Sequence, residues 1–101
     1  MGLKINWAIL IEGNYYRKNN RYIFKFSHYD GKNGACISDH YSINTSTQKY
    51  YDPTNSGKFN GIGSFYNATS EEILHLEECK KAGKYIEFKD VKFKIIHELW
   101  I

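Results

Sequence analysis

Proline, cysteine and long apolar runs are all scarce in this chain. A single proline, Pro53, among 101 residues and no low-complexity tract or repeat leave nothing that reads as a linker. The two cysteines, Cys36 and Cys79, lie far apart and match no CxxC or Cys/His ligand spacing. That excludes the common zinc modules and a disulfide framework, and predicts two reduced thiols behaving as small apolar groups. The longest unbroken apolar run has five residues, Trp7 to Ile11. It is too short for a signal h-region or a membrane-spanning helix, so the expected location is cytoplasmic, with no membrane partner. The Asn44-Thr45-Ser46 and Asn67-Ala68-Thr69 sequons then carry no glycan, and Asn6 stands where a myristoylation signal needs Ser or Thr.

What the chain has in quantity is aromatic residues: nine Tyr, six Phe and two Trp, 17% of the total. With 42% apolar residues they fill one compact core and argue against disorder, and the length allows only one domain, 1–101. The net charge of +3 does not make the whole chain a polyanion binder, but its charge is uneven. Residues 1–70 carry eight Lys/Arg against four Asp/Glu, whereas residues 71–101 carry six against seven. A basic, tyrosine-rich front half suits an acidic partner or a nucleic-acid backbone, or simply a solvated surface.

Alternation predicts a first strand over Lys4–Glu12, with Ile5, Trp7, Ile9 and Ile11 on one face. The polar connection 13–20 and a second strand, Arg21–Tyr29, complete a hairpin with a flexible tip. In that second strand Tyr22, Phe24 and Phe26 share one face, and Ile23, Lys25 and Ser27 the other. Asp30–Gly34 is a turn, Ala35–Asn44 a third strand, and Ile62–Ala68 a short fourth. Thr45–Gly61, which holds the proline and several turn formers, is the weakest region for regular structure and the best candidate for an exposed functional loop.

A helix over about 70–82 has clear ends. Thr69 and Glu72 form a capping box, Glu71 and Glu72 suit the positive end of the dipole, and Gly83 suits the C′ position. Ile73, Leu76 and Cys79 are its core stripe, extended by Ala82. Lys84–Phe88 and Asp90–Ile101 then read as one long strand or a tight hairpin about Lys89-Asp90. The fold class expected is α+β: a small, mostly antiparallel sheet of four to six strands with one amphipathic helix packed on it.

Five constellations invite chemistry. Glu71, His75 and Glu78 at i, i+4 and i+7 lie on one polar stripe, as a metal-binding helix requires, but no further ligand is fixed nearby. A solvated face is the plainer reading, and no metal or cofactor is expected. Cys36 and His40 fall on one strand face if alternation is unbroken, which would permit a thiol–imidazole pair. The neighbours Ser38, Asp39 and His40 cannot form a triad, because alternation turns Asp39 away. "PTNSGKF" fails as a phosphate loop, since Asp52 stands where the first glycine belongs and Phe59 replaces the hydroxyl residue. Gly61-Ile62-Gly63 is turn chemistry.

Aromatic and basic residues interleave more suggestively. Tyr15, Tyr16, Arg17, Lys18 and Arg21 crowd the first hairpin, and Lys49, Tyr50, Tyr51 and Lys58 populate the central loop. Tyrosines for stacking beside cations for phosphates are what single-stranded nucleic acid or nucleotide recognition needs. The same residues serve as anchors in protein interfaces, or cap the core.

The stretch from Ala68 to Ile86, with Thr69-Ser70-Glu71-Glu72-Ile73, Leu76-Glu77-Glu78-Cys79 and Gly83-Lys84-Tyr85-Ile86, resembles a pattern in small uncharacterised proteins of Bacteroidota phages and their hosts. In that pattern an A-T-P-E-E opening leads to a leucine, a cysteine and a G-K close. Ser70 stands in place of the proline, and His75 in place of an aromatic. The resemblance implies a phage context, in which compact domains act as inhibitors of host defence proteins, including anti-CRISPR-like ones. The expected activity is therefore non-enzymatic binding of a host protein. The alternatives are a nucleic-acid or signalling-nucleotide binder and a small enzyme using Cys36/His40 or His75. A homodimer through edge-strand pairing is a further expectation.

Overall fold

The computed structural model describes residues 3–31, 34–43 and 48–91. Among these residues seven strands form one antiparallel sheet: β1 (Lys4–Ile5), β2 (Tyr15–Lys18), β3 (Tyr22–Tyr29), β4 (Ala35–Ser42), β5 (Tyr50–Tyr51), β6 (Lys58–Phe59) and β7 (Phe65–Asn67). Their order is β1-β7-β2-β3-β4-β5, and β6 joins β4 beside β5. One helix, α1 (Ser70–Ala82), follows β7. The α+β class holds, with the strands more numerous and shorter than alternation predicts.

The first strand is the largest departure. Only Lys4–Ile5 pairs; Asn6 caps a 3-10 turn over Trp7–Ile9, accepting from the Ala8 N–H at 2.9 Å. Ile9 and Ile11 are consequently exposed, and Leu10 is the residue that reaches the core. Tyrosine hydroxyls fix this segment across the sheet. Tyr29 Oη accepts from the Leu10 N–H at 2.9 Å and donates to the Trp7 carbonyl, and Tyr16 Oη accepts from the Ile11 N–H at 2.9 Å. These bonds replace the ladder that a continuous strand would have made.

The connection expected over 13–20 contains strand β2, which lies inside the sheet between β7 and β3. The tip is tight rather than loose: Asn19 adopts a left-handed conformation, and its Oδ1 accepts from the Ser64 N–H at 2.9 Å.

Strands β3 and β4 form the spine. Their pairing shifts register twice, between Lys25 and Phe26 and between Phe26 and His28. Lys25 faces Asp39 whereas Phe26 faces Ile37, so Ser38 is an extra residue in β4 and reverses the alternation beyond it. Ala35 and Ile37 join Leu10, Tyr16, Phe24, Phe26 and Phe65 in one core. Tyr41 instead joins Ile23, Tyr50, Leu76 and Cys79 in a second core beneath α1. The sheet is thus covered by the N-terminal segment on one face and by the helix on the other.

Helix α1 begins and ends as its sequence dictates. Thr69 Oγ1 accepts from the Glu72 N–H at 3.1 Å, Glu72 Oε1 accepts from the Thr69 N–H at 2.8 Å, and Gly83 closes the helix at φ 70°. Its lateral reading needs correcting. His75 is 2% exposed, not part of a wet stripe, while Ile73 is only half-buried. The cause is the chain after Gly83, which folds back along the helix. His75 Nε2 bonds the Ile86 carbonyl at 2.6 Å, and its ring packs on Tyr41, Tyr85 and Phe88. Phe88–Asp90 is a 3-10 turn rather than part of a strand. The strand expected beyond it, over residues 92–101, lies outside the described residues.

Candidate aromatic and cationic face

On the sheet face opposite the helix, three aromatic rings from three strands meet one histidine in a contiguous cluster. His40 stacks on Tyr51 with centroids 4.4 Å apart and planes 9° from parallel. Tyr22 and Phe59 meet His40 edge-on at 5.6 and 5.2 Å, and each other at 5.1 Å. Register accounts for this. Tyr51 pairs with His40 across β4–β5, Phe24 pairs with His40 across β3–β4, and β6 brings Phe59 over the same strip. Gly34 permits the approach of β6, because a Cβ there would lie 2.6 Å from the Phe59 carbonyl oxygen.

Three cations rim the cluster, each over a ring. Lys18 Nζ is 5.5 Å from the Phe59 centroid and 6.0 Å from that of Phe65. Arg21 Cζ is 5.7 Å from Tyr22, and Lys49 Nζ is 5.2 Å from Tyr51. These are cation–π distances. Desolvation, followed by the like charge of Arg21, pushes the Lys18 ammonium below its ordinary pKa. Among the described residues, the salt bridges are Arg17–Glu72, Lys58–Asp30 and Lys81–Glu78, so none includes Lys18, Arg21 or Lys49. The front half's three aspartates are engaged elsewhere or point away. Asp30 holds Lys58, Asp39 is buried beneath α1, and Asp52 Oδ1 accepts from the Thr54 and Asn55 N–H groups.

The nine residues singled out by composition therefore divide. Lys18, Arg21, Lys49 and Tyr51 converge on this face. Tyr16 is 3% exposed and belongs to the core, and Tyr50 is buried with its hydroxyl donating to Asp39 Oδ2 at 3.0 Å. Tyr15 packs on the helix side, where Lys25 lies over its ring. Arg17 turns to the same side, between the Tyr66 ring at 4.6 Å and Glu72 at 3.8 Å. Lys58 is tied to Asp30. Tyr22, His40 and Phe59 complete the cluster and were not among the nine. Tyr22 could have been found, since it shares the Phe24 face at the open end of β3; Phe59 sits in a stretch with no strand signal, and the displacement of His40 depends on the bulge.

The catalytic alternatives change as well. Cys36 alternates with Ala35 and Ile37, and the bulge at Ser38 leaves it on the opposite face from His40. His40 Nδ1 instead hydrogen-bonds Ser56 Oγ. A hydroxyl against an imidazole is the first element of a serine nucleophile, but burial holds His40 down to about 4, which makes it a weak base at neutral pH. Asp39, which could orient a histidine, faces the other way. Burial also pushes the Cys79 thiol up. His75 is committed to the Ile86 carbonyl, and among the described residues no three His, Cys, Asp or Glu side chains converge as a metal site. No described helix is long and apolar enough to cross a membrane. Compared with protein-family models, curated proteins and solved structures, the chain has no significant match.

Proposed function

We propose that the protein is a non-enzymatic binding module whose contact surface is the face formed by Tyr22, His40, Tyr51 and Phe59 and rimmed by Lys18, Arg21 and Lys49. The observation that carries this reading is the placement of three cations over the rings of one cluster, with no salt bridge to any of them among the described residues. A cation on an aromatic face, held without a carboxylate, keeps its charge available to an incoming anion. Neutral His40 supplies the flat floor of the cluster rather than its charge.

A second reading, contact with a host defence protein as an anti-CRISPR-like inhibitor, draws on the phage-protein resemblance and on a different surface. Leu3, Ile9, Ile11 and Ile62 are 60–88% exposed, apolar side chains of the kind that a protein contact can cover. Capture from a Bacteroidota lysate, with and without nuclease and analysed by mass spectrometry, tests both. The first reading expects Tyr51→Ala and the double variant Arg21→Gln/Lys49→Gln to lose the captured partner. Capture unaffected by those variants but lost in Ile9→Ser/Ile11→Ser would transfer the function to the apolar surface.

A further inference from the structure

Resting on the reading of this face as the contact surface, we propose that its ligand is single-stranded nucleic acid, with bases displacing Arg21 and Lys49 from the tyrosine rings and phosphates held by the displaced cations and Lys18. Two features of the face select this class. The first is the kind of ring. Tyr22, Tyr51 and Phe59 are all half-buried, so each retains surface toward solvent, and they stand side by side on a sheet rather than inside a pocket. A sheet face with adjacent rings accepts unstacked bases, whereas the bases of a duplex are already stacked on one another and offer no ring face.

The second feature is the charge. Lys18 lies over Phe59 and Arg21 over Tyr22, whereas Lys49 lies over Tyr51, the ring stacked on His40. Cations therefore flank the rings from both ends of the cluster, as a backbone running past stacked bases requires. A protein partner fits less well. The centres of protein interfaces are depleted in charge, and the exposed aliphatic residues of this chain lie elsewhere, at Leu3, Ile9, Ile11 and Ile62. Asp52, next to Tyr51 in the chain, caps its own turn instead of neutralising the rim.

The test is fluorescence anisotropy with a labelled mixed-sequence strand of about 12 nucleotides, as DNA and as RNA, and the corresponding DNA duplex. The single strand is expected to bind at least about tenfold more tightly than the duplex. Three phosphate contacts predict that log K falls against log salt with a slope of about −2, and each of Lys18→Gln, Arg21→Gln and Lys49→Gln reduces that slope by about 0.7. Tyr51→Ala should weaken binding by about 5- to 100-fold. Lys80→Gln/Lys81→Gln, which removes two exposed charges on the helix, should leave it unchanged. Equal affinity for the duplex, an equal loss in the helix double variant, or no binding of any strand would overturn the inference. If no strand binds while lysate capture still depends on Tyr51, Arg21 and Lys49, the nucleic-acid assignment falls and the contact face stands. If capture is also indifferent to those residues, both fall.

Discussion

Acidification from pH 7.5 to 4.5 should destabilise this protein through one residue, His40. Burial holds its imidazole down to about 4, against an ordinary value of 6.5. The unfolded chain therefore takes up a proton at His40 as pH falls through 6.5, whereas the folded chain declines it until about 4. In that window the unfolded state binds more protons, so stability rises with pH and is lost on acidification. The full difference corresponds to about 3 kcal/mol, and screening where the cluster meets solvent reduces the expected loss to about 2 kcal/mol. Urea unfolding at half-unit pH intervals, for the wild type and His40→Gln, isolates this contribution, because the other titrating groups are common to both. Glutamine cannot charge and leaves Ser56 a polar neighbour. Whatever the substitution costs at pH 7.5, the wild-type advantage should shrink by about 2 kcal/mol by pH 4.5. Parallel stability curves would refute a buried, neutral His40, and with it the stacked floor of the proposed contact surface.

Other outcomes follow from the same geometry. Asp39 has the opposite sign: burial, above all, raises its carboxyl pKa, so the folded state holds the proton more tightly and the ionised form costs stability above the ordinary carboxylate range. Asp39→Asn, which still accepts from Tyr50, should raise the urea midpoint at pH 8, and the gain should shrink as pH falls toward 4. Leu76→Ala, at a fully buried position beneath the helix, should cost about 2–5 kcal/mol in chemical denaturation. Gly83→Ala should cost about 1 kcal/mol, because φ 70° suits glycine and strains an L-residue, and thermal melting will read it. Since Lys18, Arg21 and Lys49 carry the rim's charge and His40 does not, affinity for a bound anion should stay flat between pH 7.5 and 5.5, measured by anisotropy at fixed salt.

Local signals were readable where local chemistry decides the outcome. The helix ends followed from Thr69, Glu72 and Gly83, because a capping box and a left-handed cap need only a few neighbouring residues. The alternation of Tyr22, Phe24 and Phe26 survived because β3 is long and has a partner on each side. Lys4–Glu12 misled because its apolar spacing fits a strand, yet the tyrosine hydroxyls of Tyr16 and Tyr29, distant along the chain, capture its backbone. Composition cannot tell a tyrosine that spends its hydroxyl on the core, as Tyr16 and Tyr50 do, from one that faces solvent. The burial of His75 is hidden from the sequence for a similar reason. The helical wheel shows its angle but not the returning chain at Tyr85–Phe88 that covers it.

The aromatic face itself depends on one extra residue. With unbroken alternation in β4, His40 would share a face with Cys36 and Ser38, and the residues of Ala35's parity would include Asp39 and Tyr41. The bulge at Ser38 exchanges the two sets beyond it. Tyr41 is sent beneath the helix to meet Leu76 and His75, and Asp39 to meet the hydroxyl of Tyr50. His40 is delivered to the other face, where Tyr51, Tyr22 and Phe59 surround it. The helix-side core and the aromatic face are therefore produced by the same insertion. A chain lacking Ser38 could keep one of them in register only by turning its Asp39 or His40 against the wrong neighbours.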